Sequence, residues 1–153
     1  MTDTPDARTT RDIVVECVLP QRPEIVWKTL TTSDLIGRWL MPNDFEPRIG
    51  GTFTFRAKPM GDWDGIVHCE VLDIVSYRKL VYSWKAGSDN NPNYGARLET
   101  LVTWTLTQVG DGTALSLVHS GFRSPQNDFA FNAMSPGWSR VLASIGRIAE
   151  EQA

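Results

Sequence analysis

Ser135-Pro136-Gly137-Trp138-Ser139-Arg140-Val141-Leu142-Ala143-Ser144-Ile145-Gly146-Arg147-Ile148-Ala149 is the clearest helix signal in the chain. Trp138, Val141, Leu142, Ile145, Ile148 and Ala149 recur at spacings of three and four, with Ser139, Arg140, Ser144 and Arg147 opposite, which makes one apolar face and one wet one. Ser135 stands at the N-cap position and Pro136 at the first helical position, where a capping oxygen and a preset φ are both favoured. About fourteen helical residues rise ~21 Å, enough to lie across a curved sheet.

Upstream of that helix the apolar period changes from 3.6 to 2. After Gly50-Gly51, Phe53, Phe55 and Ala57 alternate with Thr52, Thr54, Arg56 and Lys58, as a strand with one buried face requires. A hairpin-like connection over 58–65 leads to a strand at Ile66–Val75 and another at Leu80–Trp84. The polar stretch Gly87–Gly95 reads as a long loop. Strands at Glu99–Thr107 and Thr113–Gly121 follow, joined by the Asp111-Gly112 turn. At the front, Ile13–Leu19 suits a first strand ended by Pro20. Pro23 opens a short helix with Val26, Trp27 and Leu30 on its apolar side. Thr32 or Ser33 caps a second, bearing Leu35, Ile36, Trp39 and Leu40. Antiparallel strands with segregated helices make an α+β architecture, and only the terminal helix has the length to cover the sheet.

The chain has 153 residues, which at roughly 100–200 residues per domain is one domain. Residues 1–11 read as a flexible tail and 12–153 as the single domain. Fifteen Lys+Arg against eighteen Asp+Glu give a net charge of −3, with no clustered cationic face of the kind nucleic-acid binding uses. No apolar run approaches the ~18–20 residues of a membrane span, and the polar N-terminus lacks a signal-peptide core, so a cytoplasmic location is expected. Cys17 and Cys69 form no CxxC and are read as free thiols. The phosphate-loop, dinucleotide, nucleophile-elbow and zinc-protease motifs are all missing, so neither a cofactor nor a metal is expected. Six Trp, as many as Phe, are the unusual feature of the composition.

The ordered set Val26-Trp27, Leu30, Arg38-Trp39, Gly50-Gly51-Thr52-Phe53, Leu80-Val81-Tyr82-Ser83-Trp84, Val102-Thr103-Trp104, Gly112-Thr113, Leu115, Leu117, His119-Ser120-Gly121-Phe122 and Gly137-Trp138 resembles the START-like SRPBCC superfamily. Within it, the chain is similar to the branch named after the heat-shock-protein ATPase activator homologue. The resemblance spans about residues 13–150. It implies the helix-grip fold of the birch pollen allergen: a curved antiparallel sheet around a long C-terminal helix, with a cavity between them. The residues themselves give six strands and the resemblance implies seven. Members bind lipids, polyketides or other apolar molecules, and the fold hosts many unrelated functions.

A cavity in that interior would be lined by Trp39, Phe53, Phe55, Tyr82, Trp84, Trp104, His119, Phe122, Trp138 and Leu142; the same rings can equally be core filling. His119 shares the inward face of Leu115 and Leu117. It is open to three readings: a satisfied core histidine, a polar anchor for ligand, or a general acid/base. His68 is expected to face solvent. Asp62-Trp63-Asp64-Gly65 lacks the remaining ligands of a calcium loop and reads as a turn. Arg38 suits either the surface or an anionic ligand. Phe129 and Phe131, in the turn-rich segment 122–134, suggest a flap beside the Gly87–Gly95 loop. The expected function is binding of an apolar or amphipathic small molecule by a monomer or homodimer. A cyclase- or hydrolase-like enzyme using His119 is the alternative. A chaperone-ATPase stimulator comes third, because chaperone activators of the branch carry a further N-terminal domain and only about eleven residues precede this one.

Overall fold

The computed structural model describes residues 9–91 and 95–153. Its elements run β1 (Thr10–Leu19), α1 (Pro23–Thr31), α2 (Ser33–Trp39), β2 (Thr52–Arg56), β3 (Ile66–Val75), β4 (Lys79–Ala86), β5 (Leu98–Val109), β6 (Gly112–Arg123) and α3 (Asp128–Gln152). Among the described residues the strands form one six-stranded antiparallel sheet ordered β1-β6-β5-β4-β3-β2. α3 packs on β1, β6, α1 and α2, so the helix-grip architecture expected from the sequence is the one observed. β1 begins at Thr10, inside the stretch read as tail; residues 1–8 of that stretch lie outside the described residues.

Alternation places one continuous apolar surface on the concave face. Phe53 and Phe55 of β2 lie opposite Cys69 and Val67 of β3. Leu80 of β4 lies opposite Trp104 of β5, and Trp104 opposite Leu117 of β6. All of these side chains are buried. The alternation breaks once where the site depends on it. Ile13 of β1 pairs with His119 of β6, and Arg11 pairs with Phe122. β6 therefore spends two residues, Ser120 and Gly121, opposite the single Asp12. Gly121 takes φ +97°, a conformation that L side chains avoid, and the bulge brings Phe122 back to the inward face beside His119.

α3 differs from its sequence reading. It starts at Asp128 rather than beside Ser135, with Asn127 at the N-cap and Pro136 inside the helix. Twenty-five residues rise ~37 Å instead of ~21 Å. Pro136 can donate no hydrogen bond to the carbonyl of Asn132, but both residues are exposed, so that carbonyl meets water. Ser135, read as the cap, turns its hydroxyl back onto the carbonyl of Phe131 at 2.8 Å. The segment read as a flap is thus largely the first two turns of α3. Phe131 packs on Phe122 with ring centroids 5.6 Å apart, and the Arg11 guanidinium lies 3.9 Å from the centre of the Phe131 ring.

Candidate functional site

The aromatic residues expected to line a cavity form a chain of touching rings. Trp39 meets Trp104 edge-on at 5.6 Å, Trp104 meets Trp138 at 5.8 Å, and Trp138 meets Trp84 at 5.8 Å. Trp84 then leans on Phe55, Phe55 on Phe53, and Phe53 on Tyr82, all with centroids 5.2–5.4 Å apart. Such edge-to-face contacts add to the burial of each ring. Leu142 of α3 belongs to the same buried cluster. The polar tips are also paired: Trp39 Nε1 donates to the carbonyl of Thr29 at 2.9 Å, and Trp104 Nε1 donates to the Tyr82 hydroxyl at 3.0 Å. Burial raises the Tyr82 phenol well above its ordinary pKa, so it stays protonated.

His119 sits at the centre of this interior with no solvent exposure. Trp138 Nε1 lies 3.0 Å from its Nδ1, and Thr100 Oγ1 lies 2.7 Å from its Nε2. An indole N–H can only donate, so Nδ1 accepts and the proton of the neutral ring is on Nε2. Nε2–H then donates to Thr100 Oγ1, and the threonine hydroxyl donates to the carbonyl of Trp84 at 2.9 Å. The chain Trp138, His119, Thr100, Trp84 carbonyl is closed, with every ring nitrogen used. Desolvation pushes the imidazole pKa down to about 3, which keeps the ring neutral at physiological pH. Of the three readings of His119, this geometry matches the satisfied core histidine: neither a free lone pair nor a free N–H points at open space.

Open space lies instead at one end of the grip. An apolar cleft of about 130 Å³ opens between the turn after β2, the β4–β5 connection and the N-terminal half of α3. Trp84 and Val67 form its floor and Trp63 one side, with Met41 and Met134 at its margin. The remaining contacts come from small residues, among them Ala57, Ala86, Gly87, Ala96 and Ala130. Trp84 alone of the ten expected cavity residues lines this cleft; the others pack in the ring chain and around His119. Two sequence features do meet here: Gly87 and Gly95, the ends of a loop whose residues 92–94 lie outside the described residues, and the 122–134 segment, which contributes Ala130 and Met134 from α3. Trp63 was read only as part of a turn. It is buried, its indole N–H bonded to the carbonyl of Ile66 at 3.0 Å, and a tryptophan within a polar turn is the signal that marks it. Gly87 is required where it stands, with φ +87° and a Cβ position that would collide with the backbone of Ala96.

A second, polar pocket of about 330 Å³ adjoins the first and shares Ala96 with it. His68 is exposed, as expected. Arg38 is a surface residue, ion-paired with Glu151 of α3 at 2.9 Å. Asp62–Gly65 lies in the turn between β2 and β3. Cys17 and Cys69 are free thiols. No group of three or more metal-ligating side chains occurs among the described residues, and no described helix is long and apolar enough to cross a membrane.

The model of the family described as activator of Hsp90 ATPase homolog 1-like protein matches residues 21–150. Protein MLL2253 from Mesorhizobium loti superposes with a TM-score of 0.80 at 33% identity, covering 94% of this chain and 99% of its own. Protein BH1534 from Bacillus halodurans gives 0.72 at 23% identity, covering 91% and 96%. The Aha1 dimer from Colwellia psychrerythraea gives 0.67 at 18%, covering 89% and 93%. At these lower identities the likeness is one of fold. No curated protein matches the chain.

Proposed function

Since the chain belongs to the activator of Hsp90 ATPase homolog 1-like family, a branch of the helix-grip fold compatible with ligand binding, we propose that it binds the apolar part of a small hydrophobic or amphipathic molecule in the cleft beside Trp63 and Trp84. The observation that carries the reading is the cleft itself, about 130 Å³ of apolar space left between large rings and small residues. An apolar cavity of about 150 Å³ admits one benzene ring, so the cleft as it stands suits a single aromatic ring or a short aliphatic end. It does not suit a whole polycyclic ligand.

Titration with octanol and with toluene, followed by tryptophan fluorescence, tests the reading. A saturable change is expected in the wild-type chain. Ala130→Phe, which places a ring in the cleft from α3, is expected to abolish it while leaving the fold intact by circular dichroism. A wild-type protein with no saturable response to either probe would refute the proposal.

A further inference from the structure

The two edges of the sheet are finished differently. The β2 edge is covered: Asn43 bridges Phe55, the Arg56 N–H donates to the Pro42 carbonyl at 3.0 Å, and the Thr54 N–H donates to the Asp44 carboxylate at 2.6 Å. β1, at the opposite edge, pairs with β6 alone among the described residues, and none of its peptide groups bonds to any other described segment. It is ten residues long and contains neither proline, glycine nor lysine, and the bulge opposite Asp12 lies in β6. Open edges are ordinarily blunted by such devices, because their free N–H and C=O groups recruit another strand.

Both faces of this edge are apolar. Val14 and Val18 stand on the outer face at 58% and 69% exposure, and Val15 and Cys17 on the inner face are only half-buried. The run Ile13-Val14-Val15-Glu16-Cys17-Val18-Leu19 is, moreover, an apolar palindrome about Glu16. Two copies of a strand related by a two-fold axis pair antiparallel, so residue i of one meets residue j of the other and j meets i. Keeping inner residues against inner ones requires the axis to pass through a residue, not between two. Centred on Val14, the pairing opposes Asp12 to Glu16; centred on Val15, Val14 to Glu16; centred on Cys17, Glu16 to Val18. Centred on Glu16, it sets Ile13 against Leu19, Val14 against Val18 and Val15 against Cys17. The one mismatch is then Glu16 against its own mate, on the wet outer face.

We infer that β1 is a self-docking edge, on which a second copy of this chain lays its own β1 antiparallel in the register centred on Glu16, joining the two six-stranded sheets into one. Seven paired residues at ~3.4 Å each, on an edge ~10 Å thick, bury ~240 Å² per copy, against about 800 Å² per partner in a stable complex. The dimer is therefore weak and driven by concentration, and the opposed Glu16 side chains weaken it further. β1 contributes nothing to the cleft beside Trp63 and Trp84, so the pairing stands apart from the binding function proposed above.

Sedimentation velocity on the full chain across the micromolar-to-millimolar range tests the pairing, and disulfide trapping tests the register. Wild-type protein is expected to shift reversibly from monomer toward dimer as concentration rises. Glu16→Gln should tighten the dimer about twofold to fivefold. Val18→Glu, at an exposed position, should abolish it while leaving the circular dichroism unchanged. Under copper-phenanthroline oxidation Val15→Cys should give a disulfide-linked dimer with Cys17 of the second copy, because Cβ atoms directly across a strand pair stand about 4.5–5.5 Å apart. The same substitution in a Cys17→Ser background should not. Wild-type protein that stays monomeric throughout, or a dimer that survives Val18→Glu, overturns the inference. So does a Val15→Cys protein that fails to link, or that links equally well without Cys17.

Discussion

Acid should destabilise this protein through one buried imidazole, at a pH where surface carboxylates are still ionised. His119 in the fold accepts from Trp138 and donates to Thr100, and its pKa is pushed down to about 3. In the unfolded chain it returns to about 6.5. Because the folded value is the lower one, the contribution is complete above pH 6.5 and is lost as pH falls toward 3, the unfolded state binding the proton that the native state refuses. Protonation at Nδ1 would oppose a new N–H to the indole N–H of Trp138, so the native ring cannot accept the proton without breaking that bond. Between pH 7 and pH 5 the linkage amounts to about 2 kcal/mol of lost stability, with a limiting slope of about 1.4 kcal/mol per pH unit. Urea unfolding at pH 5, 6 and 7, read by tryptophan fluorescence, measures this directly. The sequence contains two histidines and the other, His68, is exposed, so His119→Gln should flatten the profile over that range even though the variant is less stable throughout. An unchanged wild-type unfolding free energy between pH 7 and 5, or the same slope in His119→Gln, would refute the reasoning.

Trp138→Phe removes the donor to Nδ1 and leaves a buried acceptor unpaired, for an expected loss of about 1–3 kcal/mol in denaturant unfolding; the freed nitrogen should also take up a proton more readily, making the slope between pH 5 and 7 shallower than in wild type. Gly121→Ala must place a side chain at φ +97°, and the strain on the bulge that seats Phe122 should cost about 1–3 kcal/mol, seen as a lowered thermal midpoint. Pro136→Ala restores an amide donor inside α3 and should raise stability by up to about 3 kcal/mol in denaturant unfolding; a destabilised variant would refute this account of Pro136.

Strands with one wet face were legible because each carries its own signal. Phe53 and Phe55 alternating with Thr52, Thr54 and Arg56 leave one arrangement that buries the rings and wets the rest. Ile66–Val75 came out with the bounds read from the sequence. The start of α3 was not legible, since Ser135-Pro136 satisfies every local criterion for a helix beginning. What overrides them is tertiary: Phe131 is held by Phe122 and Arg11, and Asn127 links the end of β6 to the start of β5. Pro136 meanwhile spends its missing bond on the solvent side. The bulge at Gly121 was hidden for a similar reason, because strict alternation from His119 points Phe122 outward and only the pairing with β1 shows the extra residue.

The site was less legible than the fold because size, not polarity, separates a filled interior from an open one. Trp84 belongs to both. One side of it is fixed by Phe55, Trp138 and His119, so it cannot swing into the cleft that it floors. Collapse of the cleft from the other directions is opposed by the backbone contact of Gly87 with Ala96 and by the docking of α3 through Asn127. The ring chain thus has a consequence beyond its own stability: it holds rigid one of the walls that a small apolar molecule would meet. Loosening that wall should therefore weaken binding without touching the ligand. Phe55→Leu, which removes a ring behind Trp84 and makes no contact with the cleft, is expected to cost about 1–2 kcal/mol of stability and to lower octanol affinity measurably. Unchanged affinity in a destabilised Phe55→Leu protein would show that the cleft keeps its shape independently of the core behind it.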